Sequence, residues 1–148
     1  FELGTLPYEF LAGTRAAVDF LAGFDPSATG TRRQRLLAAF AALEAHEHTL
    51  RTQLDKGISA LPGVRIHSRA ADRTPTLLLT FEDHATTDAY RFLAERQVHA
   101  PSGSFYAIEA SRRLGLGDTG GLRIGLAPYN SAEDVDRLLT GLSEFLTR

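Results

Sequence analysis

A guanidinium stands among small residues near the end of the sequence, in Leu122-Arg123-Ile124-Gly125-Leu126-Ala127. In an extended strand, alternate side chains point to opposite faces. Leu122, Ile124 and Leu126 then form one face, and Arg123, Gly125 and Ala127 form the other. Small neighbours leave room for a ligand, and a guanidinium grips a carboxylate through two parallel hydrogen bonds. The same alternation also fits an arginine on the solvent side of a half-buried strand. Pro128-Tyr129-Asn130-Ser131 follows, with the composition of a turn and a helix cap. A second group of polar side chains lies in Val98-His99-Ala100-Pro101-Ser102-Gly103-Ser104-Phe105-Tyr106-Ala107. If a helix starts near 104, then Ser102, Ser104 and Tyr106 gather at its N-terminus, where backbone N–H groups favour an anion. Simple capping by Ser102 or Ser104 is the alternative. His99 either reaches the same pocket or sits exposed on a strand.

Other chemistry is bounded by what the sequence lacks. There are no cysteines, so disulfides, thiolate zinc sites and a cysteine nucleophile are excluded within this chain. Lys56 is the single lysine, against fifteen arginines. In Leu54-Asp55-Lys56-Gly57 it falls near the end of a long helix, where a solvated lysine stabilises the C-terminus. Glu44, His46 and His48 suggest metal ligands by type. However, His46 and His48 are two apart on a helix and do not share a face; only Glu44 and His48 do, and two ligands are too few.

The elements that must position these residues follow from punctuation and periodicity. Pro7 marks a helix start near Tyr8, and Phe10, Leu11, Ala17, Val18 and Leu21 recur at helical spacing up to Gly23. A loop follows through Asp25-Pro26-Ser27 and Gly30. Thr31 and Gln34 have capping-box spacing, opening a helix from about 32 to 61 that Pro62-Gly63 stops. Strands are expected at 64–67, 76–81, 98–100 and 122–127. Helices are expected from Thr86 or Thr87, from about 104 to 114, and from a cap at Ser131. Phe10, Phe20, Phe40, Phe81, Phe92 and Phe145 are read as core. The fold class is α/β, or α+β in two layers: a small mixed sheet of about four strands with helices mainly on one face.

The chain has 148 residues, 43% of them hydrophobic and 23% charged, which fits a globular domain. A net charge of −2 with interspersed signs argues against nucleic acid, which needs clustered positive charge. No apolar run approaches the ~18 residues of a membrane span, so no membrane partner is expected. The chain starts at Phe1 and no signal-peptide pattern follows. A cytoplasmic setting is therefore expected.

Taken together, the segments carry a resemblance. Arg123, then Tyr129-Asn130 six residues on, then Glu133-Asp134-Val135-Asp136 at a helix start, resemble a signature of class V aminotransferases and cysteine desulfurases. Phe1-Glu2-Leu3-Gly4-Thr5 resembles that family's Phe-Glu-x-Gly-Thr segment, which a helix follows there. The two motifs bracket the chain. These are pyridoxal-phosphate (PLP) enzymes of fold type I, and the chain resembles their C-terminal small domain. Arg123 then matches the arginine that binds the substrate α-carboxylate, with Ser104 and Tyr106 as further pocket residues. Thr5, with Gly4 beside it, matches the threonine that reaches the PLP phosphate of the neighbouring subunit in a homodimer. The lysine that attaches PLP would lie in a large domain outside this chain, since Lys56 does not match it. Cysteine desulfurases proper carry a persulfide-forming cysteine after the third small-domain strand. Its absence here points to a desulfurase-like branch with another reaction.

The expectation is therefore a C-terminal piece of a larger PLP-dependent enzyme acting on an amino acid, and inactive alone. Residues 1–30 form the connecting segment and helix, and 31–148 form the small domain. A free-standing module that binds an amino acid or another carboxylate is the alternative, because fold alone does not assign function.

Overall fold

A computed structural model describes residues 4–68 and 70–148. The chain divides into two compact units, Phe1–His46 and Glu47–Arg148.

The first unit contains α1 (Tyr8–Leu21) and the beginning of α2 (Arg32–Ser59). Pro7 is the N-cap of α1, and its carbonyl accepts from the Phe10 and Leu11 N–H groups. At the start of α2 the capping box forms. The Thr31 N–H donates to Gln34 Oε1 at 2.9 Å, and the Gln34 N–H donates to Thr31 Oγ1 at 3.3 Å. Ala22 and Ala39 are buried. The aromatic residues are not: Phe10, Phe20 and Phe40 are 70%, 68% and 51% exposed, which corrects their reading as core. Helical spacing shows that a face is apolar, but it does not say what covers the face. The start of the resemblance, Phe1 to Leu3, lies outside the described residues, as does Arg69.

The second unit holds the rest of α2, then β1 (Val64–Ile66), β2 (Thr76–Phe81), α3 (Thr86–Ala94), β3 (Ser102–Gly103), α4 (Ile108–Arg113), β4 (Gly121–Gly125) and α5 (Ala132–Leu146). The strands form one sheet in the order β1-β2-β4-β3. Each neighbouring pair is antiparallel, where a mixed sheet was expected. The reason is the position of β4. Strands β2 and β3, joined through α3, do run the same way, but β4 inserts between them and runs against both.

The core sits on one face of this sheet. Leu77 and Leu79 from β2 and Leu122 and Ile124 from β4 point into it. Leu50, Leu54 and Ile58 of α2 cover them, together with Phe92 and Leu93 of α3 and Val135, Leu142 and Phe145 of α5. The helices approach closely: a Cβ added at Gly57 in α2 would collide with the Leu139 side chain of α5. Phe81 packs partly buried against this core and edge-on to Phe145 at 5.7 Å.

The third strand is displaced from the expected position. Val98–Ala100 is not a strand, because Gln97 and Val98 close the end of α3. Gln97 is left-handed (φ +60°), its N–H donates to the Ala94 carbonyl, and the Val98 N–H donates to the Leu93 carbonyl. This is a Schellman closure with the apolar Val98 folded against the core. Pairing with β4 begins only at Ser102. The helix expected from 104 to 114 shortens to six residues at Ile108–Arg113, because residues 104–107 form a turn.

Candidate functional site

The face of the sheet away from the helices carries the candidate chemistry. Along β4 the burial alternates as expected: Leu122 and Ile124 are buried, and Arg123 and Gly125 are exposed. Arg123 lies opposite Leu78 of β2. Leu78 leans over Gly121, where an added Cβ would approach its side chain to 2.8 Å. On its strand face, Arg123 therefore has glycines and one leucine as neighbours.

What holds Arg123 is an aromatic ring. Its Cζ lies 4.0 Å from the centroid of the Phe105 ring, within cation–π range. Among the described residues no carboxylate pairs with it. A cation held over a ring uses no N–H···O bond, and the N–H groups are what hold carboxylates bidentately.

Phe105 is brought there by a tight loop. The Arg123 N–H donates to the Pro101 carbonyl at 2.8 Å, and Ser102 and Gly103 pair with Leu122 and Gly121. The Ser102 hydroxyl meets the Thr86 hydroxyl at 2.9 Å. Next, the Ala107 N–H donates to the Ser104 carbonyl at 2.9 Å, closing a turn with Phe105 and Tyr106 at its centre. Both are left-handed, with φ +54° and +63°. This is the sign pattern of a type I′ turn, normally occupied by Asn or Gly. Holding two aromatic residues there costs about 1–3 kcal/mol each.

The other sequence candidates are distributed as follows. Ser104 opens the turn and is half-buried, and Tyr106 is fully exposed at its tip. Neither Ser102 nor Ser104 caps α4, whose N-cap is Ala107 without a side-chain hydrogen bond. The helix begins at Ile108 and not near 104, so Ser102, Ser104 and Tyr106 precede its first turn. His99 is exposed and lines a different cleft of about 280 Å³ with Gly125, Tyr129, Asn130 and Arg137. Asn130 is structural: its Oδ1 accepts from the Ala127 N–H at 2.7 Å, and its amide donates to Asp134 at 3.2 Å. Gly4 and Thr5 are exposed in the first unit, and Gly4 has φ +96°. Lys56 is exposed on α2, across the sheet from Arg123.

Phe105 was not singled out from sequence. The available clue was its place two residues past a strand that pairs with the strand of Arg123, and that clue needed the correct register.

Comparison with known proteins agrees with this architecture. The sequence profile of the aminotransferase class-V family matches residues 1–138. A probable cysteine desulfurase of Pseudomonas putida is 29% identical over 146 residues, 99% of this chain and 32% of the relative. An uncharacterized protein of Mycobacterium tuberculosis is 27% identical over 143 residues, 96% of this chain and 35% of the relative. The crystal structure of the cysteine desulfurase CsdA from Escherichia coli superposes with a TM-score of 0.78 at 27% identity, covering 99% of this chain and 32% of that one. A cysteine desulfurase from Thermococcus onnurineus shares the fold, with a TM-score of 0.69 at 20% identity over 78% of this chain and 29% of its own. The chain thus spans about a third of the length of the relatives it matches. With a profile match over residues 1–138 and this sheet and helix order, the chain belongs to the aminotransferase class-V family, and it is similar to cysteine desulfurases.

Proposed function

We propose that this chain is the small domain of a larger PLP-dependent enzyme, in which it binds the α-carboxylate of an amino-acid substrate through Arg123. The observation that carries the reading is an exposed arginine with no carboxylate partner among the described residues, held over an aromatic ring instead. Its position six residues before Tyr129-Asn130 supports the same assignment.

The residues of this chain suit the substrate rather than attachment of the cofactor. The sheet face of Arg123 offers a guanidinium and carries no lysine, since Lys56 lies across the sheet. Attachment of PLP accordingly falls to the rest of the enzyme. When bound, PLP supplies an electron sink for bonds at the substrate's α-carbon. The role of this chain is positional: Arg123 fixes the carboxylate, and with it the orientation of the α-carbon. Gly4 and Thr5 would reach the cofactor phosphate of a second subunit in a cytoplasmic homodimer, and Ser104 and Tyr106 would border the substrate. The absence of cysteine removes persulfide transfer by a residue of this chain.

The test is Arg123→Lys in the complete enzyme. Lysine keeps the charge but cannot make the forked contact. Amino-acid affinity should fall about tenfold or more, the range of a charge-assisted hydrogen bond. The visible absorbance of bound PLP should not change. Unchanged affinity would remove Arg123 from the site.

A further inference from the structure

We infer that Phe105 is a positioning residue for the substrate: its ring fixes the plane of the Arg123 guanidinium and keeps the N–H edge presented to a carboxylate. The inference rests on the reading of Arg123 given above and deepens it.

Three observations carry it. First, the guanidinium carbon lies over the ring, with Cζ 4.0 Å from its centroid. A guanidinium held this way keeps its N–H donors, whereas one paired with a carboxylate would spend them. Among the described residues no competing carboxylate is present.

Second, the ring is itself held. Its loop is pinned to β4 by the Pro101 carbonyl and by the pairing of Ser102 and Gly103. It is pinned to α3 by the hydroxyl contact of Ser102 with Thr86, and closed by the bond from Ala107 to Ser104. An arginine has many rotamers to lose on binding. A fixed aromatic platform removes that loss in advance, which is how preorganisation raises affinity.

Third, the turn is left-handed at both Phe105 and Tyr106. A turn with that backbone would form more readily with Asn-Gly. Tyr106 is fully exposed. Phe105 is half-buried, and its ring contact is with Arg123.

The experiment uses the complete enzyme carrying this chain, with propionate as the probe. Propionate has the carboxylate but no amine, so it reads the grip on the carboxylate alone. Binding is measured by calorimetry for wild type, Phe105→Leu, Phe105→Trp and Arg123→Lys. We expect Phe105→Leu to weaken propionate about three- to tenfold, and Phe105→Trp, which keeps a π-face, to bind about as tightly as wild type. Unchanged binding in Phe105→Leu, with binding weakened in Arg123→Lys, would overturn the role of Phe105 alone. Equal weakening in the leucine and tryptophan variants would overturn it too, because the loop and not the ring would then matter. Unchanged binding in Arg123→Lys, or no binding by wild type, would remove Arg123 from the site and this inference with it.

Discussion

At the scale of the residue, one backbone position sets the loop that holds Phe105. Gly120 is left-handed at φ +70°, and an added Cβ would collide with the Gly103 carbonyl. Only glycine meets both conditions. Gly120→Ala should therefore part β3 from β4 and destabilise the domain by about 1–3 kcal/mol or more. A lowered urea midpoint would show it. The same variant should weaken carboxylate binding, because the Phe105 platform moves. A wild-type midpoint would mean that the loop absorbs the methyl elsewhere.

At the scale of the element, α5 is set by its first turn. Asp134 stands at the third position of the helix and closes a capping box with Ser131. Its carboxylate accepts from the Ser131 N–H at 3.1 Å and from the Asn130 amide at 3.2 Å. The Ser131 N–H first, and then the Asn130 amide, hold its carboxyl below the usual aspartate value. A carboxyl depressed in the folded state contributes stability above its unfolded pKa and loses it as pH falls through the folded one. Asp134→Ala should thus lower the melting temperature at neutral pH. The gap from wild type should narrow as pH drops below the unfolded aspartate value of about 3.9. Thermal melts across that range would check it, and a gap independent of pH would mean that the charge of the Asp134 carboxylate does not carry the effect.

The whole molecule divides unevenly in burial. Helix α1 has no buried residue, and Tyr8, Phe10, Leu11 and Phe20 are at least half exposed. β2 lies in the middle of the sheet, with Leu77 and Leu79 fully buried. Local stability follows burial and packing. In the chain by itself, amides of Tyr8–Leu21 should exchange with solvent far sooner than those of Thr76–Phe81. Hydrogen exchange followed by mass spectrometry would resolve the two. Equal protection in a monomer would contradict this. Among the described residues no helix is long and apolar enough to cross a membrane.

Much of this was legible without coordinates, because it depends on neighbours in sequence. Pro7, the Thr31–Gln34 pair and the Ser131 cap announce helix starts through bonds spanning three residues or fewer. The alternation around Arg123 announces which side chains share a face, since a strand repeats every two residues. The lack of cysteine and the single lysine limit the chemistry absolutely, because no fold supplies an atom that the sequence lacks. What only the tertiary structure decided depends on partners distant in sequence. The insertion of β4 between β2 and β3 turned an expected mixed sheet into an antiparallel one. The Schellman end of α3 moved the third strand from 98–100 to 102–103, and that shift carried Phe105 onto Arg123. Such register is set by the packing of the whole sheet against its helices, an energy that no local pattern contains.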